Sequence, residues 1–341
     1  MNAWPDVITD VEELEELLSR PSPALVEYIR ALEGDIMVLG AGGKVGPTLT
    51  RMAKRAVDAA GVSKRVIAVA RTDLPQLAKE GVEVITGDLL DTDFVNRLPR
   101  VKNVAYLVGR KFGSTGNEWL TWAINVLVPH HVADVFHQSK IVMFSTGCVY
   151  PIVDVATGGS AESDCPEPVG EYAMSCLGRE RIFDFYAAER GVKVIHIRLN
   201  YALEMRYGVL VDIATKVFNG EPVDVTTGYM NGIWQGDCNS QVLQCFDRAT
   251  SPSTVLNVTG PETLSVRELA QQFGKHFDKE PRFTGKENGR AYLNNASKAQ
   301  SIFGDPSVPV ERIVAWTARW VEAGGENIGK PTHFETQDGK Y

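Results

Sequence analysis

Short apolar segments and amphipathic segments alternate along most of the chain, and this alternation predicts its fold. The strand-like apolar runs, each bounded by glycine or polar residues, are DIMVLG, RVIAVAR, VEVITGD, NVAYLVG, KIVMFST and GVKVIHIRLN. Apolar residues at helical spacing lie between them, as in GPTLTRMAKRAVDAAG after the first strand and EWLTWAINVLVPHHVADVFHQ before the fifth. Strands that alternate with helices predict an α/β fold with a doubly wound parallel sheet.

The two ends of the chain depart from this alternation. Residues 9–33 predict two short helices, the first capped by Thr9 or Asp10 and the second started by Ser22–Pro23. After residue 200 the alternation weakens, and SVRELAQQFGKHF and VERIVAWTARWVEAGG predict helices among short strands. The tail, NIGKPTHFETQDGKY, has no helical period and is expected to be disordered or to lie along the surface. We therefore divide the chain into an N-terminal helical arm (1–34), the sheet domain (35–200) and a smaller α/β cap with the tail (201–341).

Composition limits the class of protein. The chain has 341 residues, 44% of them apolar, and a net charge of −8, which argues against a nucleic-acid surface. No apolar run is long enough to span a membrane, and the acidic N-terminus lacks the apolar segment of a secretory signal. The five scattered cysteines form no CxxC pair, so we expect reduced thiols in a cytoplasmic protein. His130, His131 and His137 lack the spacing of metal ligands, and no metal site is predicted.

The segment VLGAGGKVG places Gly40, Gly43 and Gly46 between the first strand and the helix that follows it. Glycines at this spacing let the backbone approach a pyrophosphate, which then lies at the helix N-terminus. A strand before the motif and an amphipathic helix after it are the context that dinucleotide binding requires. The alternative is a tight structural turn without a ligand. We predict a dinucleotide site here.

With GDLLD, STGCVY and EYAMS at their intervals downstream, the chain resembles the extended short-chain dehydrogenase/reductases, the family of NAD-dependent epimerases and dehydratases. The resemblance covers about residues 35–320. It implies an NAD(P)-binding Rossmann domain at 35–200, a small-molecule substrate under the cap, and a homodimer formed by the helices that contain Asn125 and Tyr172. An apolar stripe is available for such a dimer; it consists of Trp122, Leu127, Val132, Val135 and Phe136.

The resemblance also implies which residues bind the cofactor. They are Gly40, Gly43, Lys44, Val45, Gly46, Arg71, Asp88, Leu89, Val108, Gly109 and Asn125, with Asp88 next to the adenine. The second strand ends in Arg71, not in the acidic residue that would bond the ribose 2′-hydroxyl of NAD. A guanidinium can hold a 2′-phosphate, and Lys44 adds positive charge, so we expect NADP rather than NAD. The alternative is that Arg71 is a solvated surface charge.

Two hydroxyl groups match the catalytic pair of the family. Thr146 at the end of the fifth strand matches the hydroxyl partner, and Tyr172 matches the acid–base tyrosine. Ser145, the residue before Thr146, is also expected at the catalytic site. The family's lysine, one turn after the tyrosine, holds the nicotinamide ribose and stabilises the phenolate, but Cys176 stands at its position. Three explanations are open: Arg179 on the same stripe supplies the cation, the site binds a cofactor without turnover, or Cys176 reacts with substrate. We favour the first, because both hydroxyl groups are kept.

The expected substrate is a small sugar, sugar acid or polyol that is oxidised, reduced or epimerised. Nucleotide-sugar members of the family have a diphosphate-binding arginine where this chain has Met230, and the loop after the sixth strand is short. The residues expected to line the pocket are Asn200, Tyr201, Arg206, which suits a carboxylate, and Trp234, which stacks on a sugar or packs under the cap. Two alternatives stay open: a catalytically weak sensor or scaffold that binds NAD(P), and a nucleotide-sugar epimerase or dehydratase.

Overall fold

The computed structural model describes residues 4–111 and 113–339, and a parallel β-sheet lies at its centre. The strands in chain order are β1 (Ile36–Leu39), β2 (Val66–Ala70), β3 (Glu83–Thr86), β4 (Asn103–Tyr106), β5 (Lys140–Thr146), β6 (Val153–Asp154), β7 (Lys193–Leu199), β8 (Ala202–Leu203), β9 (Pro222–Asp224), β10 (Tyr229–Met230), β11 (Ile233–Trp234), β12 (Thr254–Val258), β13 (Leu264–Ser265), β14 (Arg282–Thr284) and β15 (Arg290–Ala291). Seven of them form the central sheet in the order β12-β7-β5-β4-β1-β2-β3, and every neighbouring pair is parallel. The doubly wound α/β fold is confirmed, with all six predicted strands.

Helices cover both faces of this sheet and build the cap. In chain order they are α1 (Val11–Leu18), α2 (Pro23–Ala31), α3 (Gly46–Ala60), α4 (Pro75–Lys79), α5 (Thr92–Arg97), α6 (Glu118–Trp122), α7 (Val128–Val135), α8 (Gly170–Arg190), α9 (Val209–Asn219), α10 (Gln235–Leu243), α11 (Val266–Phe277), α12 (Ser297–Phe303) and α13 (Val310–Glu322). A π-helical turn, Ala123–Leu127, joins α6 to α7. The long helix predicted before β5 is therefore interrupted at its centre by a wider turn, a feature often found at functional sites.

Both faces of the central sheet are buried, which explains the continuous apolar runs of its strands. Val38 of β1 packs in the layer that contains α2, α3 and α10, while Met37 and Leu39 pack in the layer that contains α5, α7 and α8. All three side chains are fully buried. Alternate residues of one strand thus supply two separate cores.

The central sheet takes one strand from beyond residue 200. Strand β12 pairs with β7 at the edge of the sheet, with Asn257 opposite Arg198. The periodicity did not predict this strand, because its apolar run is short and contains a polar residue. Asn257 is fully buried and accepts a hydrogen bond from the Tyr150 hydroxyl at 3.0 Å. The sheet domain predicted at 35–200 therefore lacks its edge strand, which long-range packing supplies.

The N-terminal arm joins the sheet domain to the cap. Both of its helices have the predicted cap, since the side chains of Asp10 and Ser22 accept backbone hydrogen bonds from the first turns. Glu15 of α1 binds Arg51 of α3 at 2.6 Å and Arg206 of the cap at 2.9 Å. One carboxylate thus connects the three parts of the chain.

The described part of the C-terminal tail lies along the cap, which is one of its two predicted states. Phe334 is 3% exposed and packs in the core of the cap. Thr332 donates from its backbone N–H and its hydroxyl to Asp212 of α9, at 2.7 and 2.5 Å. At Gly170, where α8 begins, an added Cβ would be 2.5 Å from the carbonyl oxygen of Gly339. The tail thus reaches from the cap to the sheet domain; its last two residues lie outside the described part.

Candidate active site

The glycine loop between β1 and α3 has the backbone that a close-lying ligand requires. Gly40 has a φ of 85°, and an added Cβ would be 3.0 Å from the backbone of Leu107. At Gly46 an added Cβ would be 2.4 Å from the carbonyl oxygen of Ala41, so only glycine fits. At Gly43 the nearest such atom would be 3.4 Å away, which leaves room for a side chain. Two glycines therefore shape the loop, and the third keeps its outer surface open.

A cavity of about 320 Å³ lies over this loop, at the carboxyl ends of β1, β2 and β4. The strand order changes direction between β1 and β4, and doubly wound sheets bind ligands at this switch point. Seven predicted cofactor residues line the cavity: Gly40, Gly43, Arg71, Asp88, Leu89, Val108 and Gly109. Lining residues that the motifs did not indicate include Thr72, Leu90, Arg110 and Ile124. Most of the predicted cofactor residues thus meet in one place.

Lys44 and Val45 do not line this cavity. The Nζ atom of Lys44 lies 3.0 Å from the centroid of the Tyr207 ring, on the side of the cap. Burial, together with the positive charges of Lys111 and Lys330, lowers the pKa of Lys44 to about 7. Val45 packs against the core on one face of the sheet. The ammonium of Lys44 therefore lies outside the cavity, and its contribution to a 2′-phosphate site stays a prediction.

Asn125 organises the protein beside the cavity and does not line it. Its fully buried side chain comes from the π-helical turn. Its Oδ1 accepts from the backbone N–H of Arg110 at 2.9 Å and from Nη2 of Arg179 at 2.7 Å. Its Nδ2 donates to the carbonyl oxygen of Arg110 at 3.1 Å and to the hydroxyl of Ser175 at 2.9 Å. Both donors and both acceptor positions of the amide are used, so the predicted cofactor contact is replaced by a role in placing Arg179.

Arg179 brings a positive charge to the boundary between the cavity and α8. It is 4% exposed, and its Nη1 donates to the carbonyl oxygen of Phe144 at 2.8 Å. Its Nη2 lies 3.8 Å from the Sγ of Cys176. An added Cβ on Gly109 would be 2.7 Å from the same Nη2, so the guanidinium lies directly behind the cavity wall. The face of α8 that carries Tyr172, Cys176 and Arg179 therefore extends to the wall of the cavity.

The predicted hydroxyl pair meets at the end of β5. Tyr172 and Thr146 share a hydrogen bond, and Thr146 Oγ1 also accepts from the N–H of Cys148 at 3.2 Å. Burial raises the pKa of the Tyr172 phenol well above its usual value, and the thiols of Cys176 and Cys148 act in the same direction. Arg179 and the hydrogen bond with Thr146 lower it. A phenol in this setting needs nearby positive charge to release its proton.

Cys176 is a buried thiol. It is 1% exposed and packs with Val149 and Tyr150. Burial raises its pKa, although Arg179 and a hydrogen bond with Tyr172 act against this. Because the thiolate is the nucleophilic form, this environment favours the interpretation of Cys176 as a small packing residue.

Ser145 points to the opposite side of β5 from Thr146, because successive side chains of a strand alternate. Its hydroxyl donates to Oε1 of Glu180 at 2.6 Å. Glu180 also forms a buried ion pair with Arg198 of β7 at 2.7 Å. The predicted catalytic role of Ser145 is therefore corrected: its hydroxyl helps to satisfy a buried carboxylate.

Two predicted substrate residues are used elsewhere in the fold. Arg206 binds Glu204 at 3.2 Å and Glu15 of the arm at 2.9 Å, so its charge is already paired. Trp234 is 1% exposed, and its ring centroid lies 5.4 Å from that of Trp316 in the core of the cap. The packing alternative for Trp234 is therefore the correct one. Neither contact follows from a local pattern, because each joins segments that are far apart in sequence.

The other two predicted substrate residues, Asn200 and Tyr201, follow β7. Asn200 is buried, and its Nδ2 donates to Oδ1 of Asn231 at 2.7 Å and to the carbonyl oxygen of Tyr292 at 3.1 Å. Tyr201 has a φ of 46°. Burial raises the pKa of the Tyr201 phenol, and the nearby groups Cys148 and Tyr292 raise it further. Cys148, whose N–H bonds to Thr146, thus influences both Tyr201 and Tyr292, and nothing in the sequence marks Tyr292.

Lys111 is a second residue that the sequence did not indicate. It lies in the loop after β4, and its Nζ atom is 5.7 Å from the centroid of the Tyr172 ring. The same atom donates to the carbonyl oxygen of Thr332 in the tail at 3.3 Å. Burial lowers the pKa of Lys111. A single lysine in a loop carries no signal that would identify it.

Comparison with known proteins agrees with this geometry. Residues 36–203, from β1 to β8, match the profile of the NAD dependent epimerase/dehydratase family. This segment is a domain of that family. The epimerase/dehydratase domain contains the glycine loop, the cavity and both members of the hydroxyl pair. No curated protein matches the chain.

Solved structures share the fold of the epimerase/dehydratase domain and of the cap at low sequence identity. An epimerase from Methanothermobacter thermautotrophicus has a TM-score of 0.71 and 18% identity, over 89% of this chain and 96% of that one. The Thermus thermophilus UDP-glucose 4-epimerase in complex with NAD has 0.68 and 20%, over 83% and 97%. MoeE5 in complex with UDP-glucose and NAD has 0.67 and 21%, over 85% and 99%. Among the described residues, no helix has the length and apolar character to cross a membrane.

Proposed function

We propose that the chain is an NAD(P)-dependent oxidoreductase or epimerase in which Tyr172 transfers the proton. The observation that carries the proposal is the short connection between the cavity and the phenol. Gly109 lines the cavity, and Arg179 lies directly behind it. Arg179 also contacts Cys176, one helical turn from Tyr172. Hydride transfer and proton transfer must occur at neighbouring atoms, and this connection brings the two sites together.

The residues of the cavity fit a dinucleotide. Gly40 and Gly46 fix the loop, and its surface at Gly43 is open. The loop amides and the N-terminus of α3 would hold the pyrophosphate, and Asp88 would hold the adenine. When bound, the nicotinamide supplies the acceptor or donor of a hydride. Arg71 at the end of β2 supports NADP, whereas the similar epimerase structures contain NAD.

Three side chains act at the substrate oxygen in this proposal. Tyr172 takes the proton of a substrate hydroxyl as that carbon becomes a carbonyl, and returns it in the reverse direction. Thr146 holds the same oxygen by a hydrogen bond. Arg179 stabilises the phenolate from the buried side, since two hydrogen bonds fix its guanidinium. This fixed charge favours an enzyme over a protein that binds the cofactor without turnover, although Cys176 replaces the family's lysine.

The proposed substrate is a small sugar, sugar acid or polyol. Met230, at the position of the diphosphate-binding arginine of nucleotide-sugar enzymes, is 1% exposed and belongs to the core of the cap. Thr332 of the tail contacts Lys111, and Lys111 lies beside the Tyr172 ring. The tail is therefore close to Tyr172 and Thr146. The second candidate is a nucleotide-sugar epimerase or dehydratase, which is favoured by the likeness of the fold to a complex with UDP-glucose.

We also propose a homodimer formed through α6, the π-helical turn and α8. Large apolar side chains are exposed on these adjacent helices; they are Trp119, Trp122, Leu127, Met174 and Phe185, with exposures of 70, 37, 51, 45 and 56%. Val132 and Phe136 of the predicted stripe pack under the sheet instead. Exposed apolar side chains that occur together mark interaction surfaces, and a two-fold axis is the commonest symmetry. A monomer mass in light scattering at micromolar concentration would contradict this proposal.

The proposed activity is tested by turnover with a defined panel. The protein is given NAD or NADP with free sugars, sugar acids, polyols and UDP-glucose, and reduced nicotinamide and sugar products are followed. Turnover of a free sugar, sugar acid or polyol supports the proposal. Turnover of UDP-glucose alone selects the second candidate. Cofactor binding in calorimetry without turnover of any compound contradicts both and favours a sensor or scaffold.

A further inference from the structure

We propose that Lys111, held in place by the C-terminal tail, is a positioning residue that assists Tyr172 with a second positive charge, in addition to that of Arg179 on α8. The inference rests on the proposed function, in which Tyr172 transfers the proton. It assigns to the loop after β4 a role that the family's lysine has on the helix of the tyrosine.

Lys111 and Arg179 approach Tyr172 from different parts of the fold. The Nζ atom of Lys111 lies over the Tyr172 ring, 5.7 Å from its centroid. At this separation a cation is attracted by the ring and favours ionisation of the phenol. The guanidinium of Arg179 lies in the buried layer with Cys176, 3.8 Å from the Sγ atom. The phenol thus has one cation fixed in the core and a second one delivered by a loop.

The tail fixes the position of the ammonium group. Lys111 Nζ donates to the carbonyl oxygen of Thr332 at 3.3 Å. Thr332 is 2% exposed and donates twice to the carboxylate of Asp212, at 2.7 and 2.5 Å. Phe334 anchors the same segment in the core of the cap. A lysine side chain has many rotamers, so this attachment reduces the entropy that is lost when its charge is placed.

Lys111 and Tyr172 share part of their electrostatic surroundings, since the thiols of Cys148 and Cys176 influence both. The groups that influence Lys111 or Tyr172 are Lys44 of the glycine loop, Asp212 of α9, Arg179 of α8 and the thiols of Cys148 and Cys176. Burial lowers the pKa of Lys111 and raises that of Tyr172, so each group alone resists its charge. An ammonium beside a phenolate offsets both costs, and each ion favours the other. The assistance is present below the pKa of Lys111 and is lost as the pH rises through it.

The test measures ionisation at position 172 directly. Tyr172→difluorotyrosine in the full chain gives a phenol that titrates at lower pH and has its own fluorine NMR signal. Lys111→Gln keeps a donor for the Thr332 carbonyl but removes the charge, and Lys111→Arg keeps both. Lys111→Met is a second variant without charge, for use if Lys111→Gln does not fold. The matched control is Lys102→Gln, at the other end of β4, where the exposed lysine pairs with Glu33.

The expected result is a rise of the titration midpoint by about 1–3 pH units in Lys111→Gln, recovery in Lys111→Arg and no shift in Lys102→Gln. An unchanged midpoint in folded Lys111→Gln or Lys111→Met overturns the inference. Turnover of the substrate panel separates this result from the proposed function. A shifted midpoint without any turnover supports the role of Lys111 and contradicts the proposed function. Turnover that requires Tyr172, together with an unshifted midpoint, supports the proposed function and contradicts the role of Lys111.

Discussion

The cavity over β1 and the side chains around Tyr172 are neighbours, but they are built in different ways. The cavity wall comes from strand ends and the turns that follow them, and Gly40, Gly43, Gly87 and Gly109 all line it. The proposed catalytic group around Tyr172 takes its side chains from β5, α8, the loop after β4 and the turn after β7, and the tail supports it. A backbone site follows from the topology of the sheet, whereas a side-chain site depends on contacts between distant segments. The first is therefore expected wherever this sheet topology occurs, and the second depends on the side chains that distant segments bring together.

Among substitutions that test the difference between the two regions, we expect the largest effect on binding and stability in the glycine loop. Gly46→Ala would place a Cβ 2.4 Å from the carbonyl oxygen of Ala41, so the loop must move. We expect it to abolish NAD(P) binding and to lower the melting temperature. Gly43→Ala has 3.4 Å of space, so we expect it to keep the melting temperature and to weaken only binding. Calorimetric titration and thermal unfolding of both variants check this; equal losses of stability would contradict it.

The next largest effect is expected in the buried layer behind the cavity. Arg179→Met removes the donor of the Phe144 carbonyl and one of the two donors of Asn125 Oδ1. We expect the free energy of unfolding to fall by about 1–3 kcal/mol and the pKa of the Tyr172 phenol to rise. The matched control is Arg181→Met on the same helix, where the side chain is 60% exposed. Chemical denaturation measures both variants, and equal destabilisation would show that burial of Arg179 has no special importance.

A smaller effect is expected in acid, in the ion pair that joins α8 to the sheet. Burial acts to raise the pKa of Glu180, but its bonds with Arg198 and Ser145 lower it overall. A carboxyl group with a lowered folded pKa stabilises the protein above its unfolded pKa, and this stability is lost as the pH falls through the folded value. We therefore expect the free energy of unfolding to fall in acid, and Glu180→Gln to flatten this dependence. Denaturation at a series of pH values, with the exposed Glu189→Gln as control, measures it; an unflattened curve in Glu180→Gln would contradict the assignment.

The smallest effect is expected at the rim of the cavity. Arg71 is exposed and lines the cavity at the end of β2. Arg71→Ala is expected to weaken NADP by roughly 1 kcal/mol, about fivefold, and to leave NAD binding almost unchanged. Calorimetric titration with both cofactors measures the ratio of affinities. Equal affinities for NADP and NAD in the native protein would contradict a role for Arg71.

The same comparison explains how far the sequence could predict the molecule. The glycine loop, the six strands and the positions of Thr146 and Tyr172 depend on spacing within a few residues, and such signals are visible in one sequence. Asn125 was placed at the cofactor, but its π-helical turn and its four hydrogen bonds arise only when α8 packs beside it. Trp234 has the side chain of a sugar-stacking residue, and only the folded cap shows that it packs inside.

The charged residues were the hardest to assign. Arg206 suited a substrate carboxylate by type, yet it binds two glutamates, one of them in the N-terminal arm. Lys111 had no motif around it, yet it lies over the Tyr172 ring. Ion pairs and cation–aromatic contacts join segments that are far apart in the chain, so residue type and local spacing do not determine them.

The central claim, that Tyr172 and not Cys176 carries the chemistry, is tested most directly by two variants measured side by side. Tyr172→Phe removes only the phenolic hydroxyl, and Cys176→Ser removes the thiol but keeps the size of the side chain. With a substrate that the native protein turns over, the account predicts that kcat/KM falls by about 10²–10⁴-fold in Tyr172→Phe. It predicts that Cys176→Ser keeps most of the activity. Full activity in Tyr172→Phe together with none in Cys176→Ser would contradict the account and would indicate thiol chemistry.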